Sequence, residues 1–221
     1  MKTALYLIPA LVVAVFFLIR AEFFKRQWQI YLIKPIATLM VIAVALLSLL
    51  EPTRNMTYTI GVLLGLFFSW GGDMALMFQE NRKAFTAGLG LFLAAHIVYA
   101  IIFMFLGCFS AWEIISIPLL LVAGVGFYRL LQPNLGRMKW PVIGYISIIS
   151  VMVSRALSTL ASPVFNPGQA LMIVVGAFLF YFSDVILAAN RFWRPWKYHR
   201  ISLAFYYSGQ LLIALAASYF V

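Results

Sequence analysis

Charged residues are scarce in this chain of 221 residues, of which 10% are charged and 65% are hydrophobic. A soluble domain averages about 25% charged and about 45–50% apolar residues. So little polar surface cannot cover so much apolar surface in water, which excludes an ordinary soluble domain. The composition therefore predicts an integral membrane protein.

Cysteine and histidine are also rare, with one cysteine and two histidines. A single cysteine, Cys108, excludes an intramolecular disulfide and a multi-cysteine metal site. The sequence has no metal-ligand spacing, no nucleophile elbow and no phosphate-binding glycine loop. It therefore predicts neither a metal nor a cofactor.

Long apolar runs fill most of the chain, and a membrane-spanning helix needs about 20 mostly apolar residues. Eight runs qualify: residues 4–20, 29–50, 58–78, 85–106, 112–131, 139–160, 169–189 and 200–220. No small-residue cleavage site follows the first run, so we expect a transmembrane helix there and not a signal peptide. The predicted fold class is all-α, a polytopic membrane protein of eight transmembrane helices in one domain, residues 1–221.

The net charge is +10, and most of the basic residues lie in short loops between the apolar runs. This distribution is typical of residues that set membrane topology and contact anionic lipid, and it argues against nucleic acid as the partner. Twelve basic residues follow odd-numbered predicted helices: Arg20, Lys25, Arg26, Arg82, Lys83, Arg129, Arg137, Lys139, Arg191, Arg194, Lys197 and Arg200. The opposite side has Lys2 and Arg54, and Lys34 and Arg155 lie within spans. Because basic loops stay in the cytoplasm, we expect both termini to be non-cytoplasmic, in a membrane such as the bacterial inner membrane.

The two aspartates of the chain, Asp73 and Asp184, both lie inside predicted helices and are 111 residues apart, half the chain. The same offset aligns Asp73-x-x-Leu76 with Asp184-x-x-Leu187, His96 with Tyr207, and Tyr99 with Gln210. The pattern predicts two parallel four-helix repeats, about residues 1–110 and 111–221, with each aspartate near a partner in the next helix.

An ionised aspartate at the centre of a membrane helix costs ~2.5–3.5 kcal/mol, so such residues are candidates for function. Gly61, Gly65, Ser69 and Asp73 recur every four residues and form one stripe of a helix. Small residues let a second helix approach closely, so we expect Asp73 to face protein. Each aspartate is predicted to lie near the cytoplasmic end of its helix.

Other polar residues within the spans have structural as well as functional interpretations. Lys34 could extend to the interface, bind a phosphate or pair with Asp73, and Arg155 is expected to extend to the outer interface. His96 shares a helix face with Tyr99, although a lone histidine in an apolar run is more often a packing residue.

Five segments resemble the YhhN-like lysoplasmalogenase family in order and spacing: LIKPIATL, FSWGGDMALMF, GLGLFLAAHIVYAIIF, FLFYFSDVILAANRF and AFYYSGQLLIAL. The resemblance extends from about residue 33 to the C-terminus. It departs at Ser154-Arg155, where the family pattern has a Trp-Ser pair, and this affects the outer end of any substrate channel. The resemblance implies eight membrane helices and hydrolysis of the vinyl ether bond of a lysoplasmalogen, a lysophospholipid, to a fatty aldehyde and glycerophosphoethanolamine or glycerophosphocholine.

That reaction begins with protonation of the alkenyl carbon and continues with addition of water to an oxocarbenium ion. It requires a carboxylic acid as the proton donor and a carboxylate to stabilise the cation, as in glycosidases. Two aspartates in a poorly solvated pocket would supply both. The resemblance thus implies Asp73 and Asp184 as the catalytic pair, and as supporting residues Lys34, His96, Tyr99, Asn190, Tyr207 and Gln210.

Two other functions fit paired intramembrane aspartates. A proton-coupled transporter built of parallel repeats would use them as proton carriers. An intramembrane aspartyl protease would use them for peptide hydrolysis, but Gly71-Gly72-Asp73 only approximates the GxGD motif of that class.

Overall fold

The structure, a computed structural model, describes residues 3–220 and is built from eight α-helices. They are α1 (Ile8–Phe23), α2 (Gln27–Leu47), α3 (Met56–Leu76), α4 (Arg82–Leu106), α5 (Ala111–Leu131), α6 (Lys139–Ser158), α7 (Pro167–Phe192) and α8 (Ser202–Ala216). With their flanking 3-10 turns, all eight are long and apolar enough to cross a membrane. The predicted all-α fold of eight transmembrane helices is confirmed, while Lys2 and Val221 lie outside the described residues.

The helix ends differ from the predicted ends where polar residues continue the helix. The fourth helix begins at Arg82 and not at residue 85, because the side chain of Asn81 accepts a hydrogen bond from the Lys83 amide at 2.9 Å. The seventh extends through Arg191 to Phe192, three residues beyond the predicted end. Hydropathy locates the apolar part of a span and misses a polar end turn.

Matching helix ends recur 111 residues apart. The Asn55 side chain caps α3 by accepting from the Tyr58 amide at 3.0 Å, and Asn166 caps α7 by accepting from the Gln169 amide at 2.9 Å. Helix α3 begins at Met56 and helix α7 at Pro167. These correspondences support the two predicted repeats, which remain a prediction.

Small residues bring α3 against α4 and α7 against α8. A Cβ added to Gly209 would lie 2.7 Å from the Gly176 carbonyl oxygen, so the backbones of α7 and α8 are in direct contact. A Cβ on Gly72 would lie 2.7 Å from the Phe92 ring of α4. On the same face of α3, Ser69 and Asp73 are buried at 0% and 2% exposure, which confirms that the stripe faces protein.

The two halves also pack on each other, α2 against α8 and α4 against α6. The last helix of each half therefore lies beside the second helix of the other half. This packing between the halves creates two interhelical sites, one between α2, α3 and α8 and one between α4, α6 and α7. The first contains Asp73 and the second contains Asp184.

Candidate active site

Asp73 is held by three side chains from two helices. The Lys34 ammonium lies 3.5 Å from Oδ1, while the hydroxyls of Thr38 and Tyr206 donate to Oδ2 at 2.7 and 2.8 Å. Both carboxylate oxygens are therefore occupied by protein. Because a buried charge requires a partner and hydrogen bonds, this arrangement accounts for an aspartate deep between apolar helices.

Asp184 has fewer partners, and both approach the same oxygen. The Tyr145 hydroxyl donates to Oδ2 at 2.6 Å, and His96 Nε2 lies 3.5 Å from Oδ2. In the part of the chain that the structure describes, no hydrogen bond or ion pair uses Oδ1 of Asp184. The Asp184 side chain is 14% exposed, compared with 3% for Asp73.

The tautomer of His96 follows from its other ring nitrogen. Nδ1 lies 2.6 Å from the Phe92 carbonyl oxygen, which can only accept, so Nδ1 carries a hydrogen. In a neutral imidazole, Nε2 then has a free lone pair, and among the described residues it has no hydrogen-bond partner, although Asp184 Oδ2 lies 3.5 Å away. Two acceptors facing each other are stabilised by a proton between them, so the His96–Asp184 pair is suited to hold one proton.

Asp184 lines a cavity of about 60 Å³ between α4, α6 and α7. Liquid water occupies about 30 Å³ per molecule, so the cavity has room for one or two waters or a small part of a larger ligand. Apolar side chains such as Leu76, Phe85 and Phe92 form most of its wall. Arg191, one of its few charged groups, lies on the same face of α7 as Asp184, seven residues or ~10 Å further along the helix.

An aromatic cluster connects the two aspartate sites. The Tyr206 ring lies 5.3 Å from Phe180, and the Phe180 ring lies 4.5 Å from His96. Tyr206 contacts Asp73, and His96 faces Asp184. Within residues 3–220, no hydrogen bond or ion pair joins the two carboxylates directly. The prediction that they react as a pair therefore remains a prediction.

The model of the YhhN family matches residues 29–217, most of the chain. The chain belongs to the YhhN family. A bovine (Bos taurus) relative named lysoplasmalogenase TMEM86A is 32% identical over 163 residues, which are 71% of this chain and 64% of that protein. Human TMEM86A, also named a lysoplasmalogenase, is 32% identical over 161 residues, again 71% and 64%. The chain thus spans less than two thirds of the length of these two relatives.

A bacterial relative is similar in length to this chain, and the match covers most of both proteins. The Escherichia coli O157:H7 membrane protein YhhN is 29% identical over 199 residues, which are 87% of this chain and 89% of that protein. No solved structure matches the chain. The eight apolar helices and these relatives together show that this YhhN-family chain is an integral multi-pass membrane protein.

The structure assigns the predicted supporting residues of this YhhN-family chain to different places. His96 lies beside Asp184, whereas Lys34 and Tyr207 belong to the Asp73 site, where the Tyr207 hydroxyl donates to the Lys34 carbonyl oxygen at 3.2 Å. Lys34 is buried and lies beside Asp73, so the structure agrees with the third interpretation of Lys34, an ion pair with Asp73. The prediction that each aspartate has its partner in the next helix is wrong, since His96 of α4 faces Asp184 of the other half and not Asp73.

The remaining predicted residues lie away from both carboxylates. The Tyr99 hydroxyl donates to Gln210 Oε1 at 2.8 Å, and Gln210 Nε2 donates to Ser69 at 2.8 Å, so these residues brace α3, α4 and α8. Asn190 accepts from the Trp196 amide at 2.8 Å and holds the loop after α7.

Arg155 has a partner that the sequence did not predict. Its guanidinium lies 2.8 Å from Oε1 of Glu113, whose side chain is 1% exposed. Because a buried carboxylate requires a counter-charge, Glu113 holds the arginine against α5. The sequence did not indicate that Glu113 faces inward, and the extension of Arg155 to the outer interface stays a prediction.

Three residues of the sites were missed. Tyr145 and Tyr206 donate to the carboxylates of Asp184 and Asp73, and Thr38 donates to Asp73. The offset of 111 contained the signal for Tyr145, because it aligns Lys34 with Tyr145, and each is the residue 39 positions before its aspartate.

Proposed function

We propose that the protein is a lysoplasmalogenase-like hydrolase that cleaves the vinyl ether bond of a lysophospholipid in the membrane. The observation that carries the proposal is the Asp184 site: a carboxyl group against a histidine acceptor, in a small apolar cavity with a cation on the same helix face. The bovine and human relatives named lysoplasmalogenase support this choice of substrate.

In this proposal Asp184 is the proton donor. Its proton is transferred to the β-carbon of the alkenyl group, and the double-bond electrons form the new C–H bond. The resulting oxocarbenium ion is stabilised by the carboxylate left behind. Water adds to the cationic carbon and returns a proton to Asp184. The bond from the hemiacetal carbon to the glycerol oxygen then breaks, and the hemiacetal hydroxyl proton is transferred to that oxygen, which gives an aldehyde and a glycerol hydroxyl. One water is consumed, and the acid is restored.

Neighbouring residues have supporting roles in this proposal. The Tyr145 hydroxyl stabilises the carboxylate form of Asp184, and His96 Nε2 accepts the hydrogen bond of the protonated Asp184 carboxyl group in the resting site. Arg191 at the cavity faces the phosphate of the head group, a role that Lys34 cannot take while it is buried against Asp73. Asp73, the second member of the predicted pair, holds Lys34 and Tyr206 and supports the site through the aromatic cluster.

The test is release of fatty aldehyde from a lysoplasmenylethanolamine by purified protein in detergent. We expect the wild type to release aldehyde and Asp184→Asn to lose at least about 100-fold in rate, because general acid catalysis contributes that much or more. Asp184→Asn should keep the wild-type gel-filtration profile and melting temperature. An inert wild type, or an Asp184→Asn variant with full activity, would exclude the proposal.

The same preparation separates the two other functions. A transporter would require sealed vesicles and a proton gradient, and a protease would cut a membrane peptide and leave the lipid intact. Activity on the lipid in detergent, without a gradient, is expected only of the hydrolase.

A further inference from the structure

A groove of about 500 Å³ runs between α5 and α6, outside the Asp184 site. This volume lies within the range of about 300–1,000 Å³ typical of small-molecule sites. Its walls are mostly apolar, as at Leu120, Leu121 and Val151. The ion pair of Glu113 and Arg155 lies at one end, near the start of α5 and the end of α6. Helix α5 has the smallest buried share of the eight spans, so the groove opens sideways to lipid.

The groove adjoins the Asp184 cavity. Ile146 of α6 lines both spaces, so its side chain is the boundary between them. Opposite it on α5 stands Gly124, where an added Cβ would lie 3.0 Å from Ile146 Cγ2. Gly124 therefore lets Ile146 pack closely against the backbone of α5 where the groove meets the cavity, and a larger side chain there would displace Ile146 or fill the groove.

We propose that the α5–α6 groove binds the alkenyl chain of the lysolipid while its vinyl ether lies against Asp184. This inference rests on the proposed function. The apolar walls suit a hydrocarbon chain, the lateral opening admits one from the bilayer, and Ile146, which lines both spaces, puts the groove beside the cavity of the carboxyl group. From Gly124 to Glu113 the groove extends eleven residues along α5, about 16 Å at 1.5 Å per residue. The charged pair ends the apolar surface and limits the length of the bound chain.

The test compares Gly124→Leu with Gly126→Leu. A side chain at Gly124 would narrow the groove, whereas no described atom lies within 4 Å of a Cβ at Gly126, on the same helix. The substrates are two lysoplasmenylethanolamines with an octenyl or an octadecenyl chain, presented to protein in nanodiscs. We expect Gly124→Leu to lower kcat/KM for the long chain at least about tenfold more than for the short one, as for an altered hydrophobic pocket. Gly126→Leu should not change the ratio.

Binding of the matching alkyl ether lysolipids, which have no vinyl ether to cleave, is the second measurement. Gly124→Leu should weaken binding of the long alkyl chain and not of the short one, and Gly124→Ala should do so to a smaller extent. If the wild type is inert but this binding pattern holds, the hydrolase proposal fails and the groove assignment stands. Equal chain dependence in Gly124→Leu, Gly126→Leu and wild type would overturn the assignment and make the groove an ordinary lipid-facing surface.

Discussion

Among the residues that contact Asp184, we expect the phenol of Tyr145 to affect the reaction rate directly. Its hydroxyl donates to Oδ2 of Asp184 at 2.6 Å and stabilises the carboxylate that forms when the proton leaves. A hydrogen bond to a charged group is worth about 1.5–3 kcal/mol, so Tyr145→Phe should lower kcat about 10- to 100-fold with little change in KM. Tyr31→Phe removes the same atom from an exposed ring stacked on Phe78 and should leave kcat unchanged. An unaltered kcat in Tyr145→Phe would contradict this role.

A second prediction at this scale concerns stability. Lys34→Met leaves Asp73 buried without its cation, and removing one partner of a buried ion pair costs about 3–5 kcal/mol. The double variant Lys34→Met/Asp73→Asn removes both charges and should recover part of that loss. The measurement is thermal unfolding of wild type, the two single variants and the double variant in one detergent. Additive losses would mean that the two side chains do not interact.

At the scale of helices, the crossing of α7 and α8 depends on backbone contact. A Cβ on Gly209 would lie 2.7 Å from the Gly176 carbonyl oxygen, and backbone cannot move aside as a flexible side chain can. We expect Gly209→Ala to lower the melting temperature, since overpacking costs about 1–3 kcal/mol. Gly90 lies on α4, where an added Cβ would have no neighbour within 4 Å among residues 3–220, so Gly90→Ala should be neutral or stabilising because alanine favours a helix. A stable Gly209→Ala variant would mean that the helices separate without cost.

The positions of the helices were largely predictable from the sequence, whereas the packing of each helix against its neighbours was not. Long apolar runs locate the spans, and the Gly61–Asp73 stripe indicates which face of α3 is buried, because spacing along one helix fixes its faces. Spacing does not determine which helix covers a face. The sequence therefore predicted an inward-facing Asp73 but matched His96 to the aspartate of the wrong half. A buried Glu113 escaped prediction because its position near a helix start looks interfacial.

At the scale of the molecule, each aspartate site contains a residue from the other half of the chain, so the two sites depend on each other. Asp73 of the first half takes Tyr206 from the second, and Asp184 of the second takes His96 from the first. Each aspartate is 17 residues from the first residue of its helix, Met56 or Pro167, which corresponds to ~25 Å at 1.5 Å per residue. Equal depth in both halves is expected of parallel repeats, and an antiparallel arrangement would put the two carboxyl groups on opposite sides of the membrane.

Orientation in the membrane follows from the same architecture. The loops after α1, α3, α5 and α7 lie on one side and contain most of the basic residues, so we expect this side to be cytoplasmic. A phosphatase reporter fused to the C-terminus, which is active only outside the cytoplasm, should therefore be active, and the same reporter in the loop between α3 and α4 should be inactive. Since Asp184 lies nearer the α7–α8 loop than the opposite end of α7, this result would give the site access to the cytoplasmic leaflet. The reverse pattern of reporter activity would move the substrate's head group to the outer leaflet.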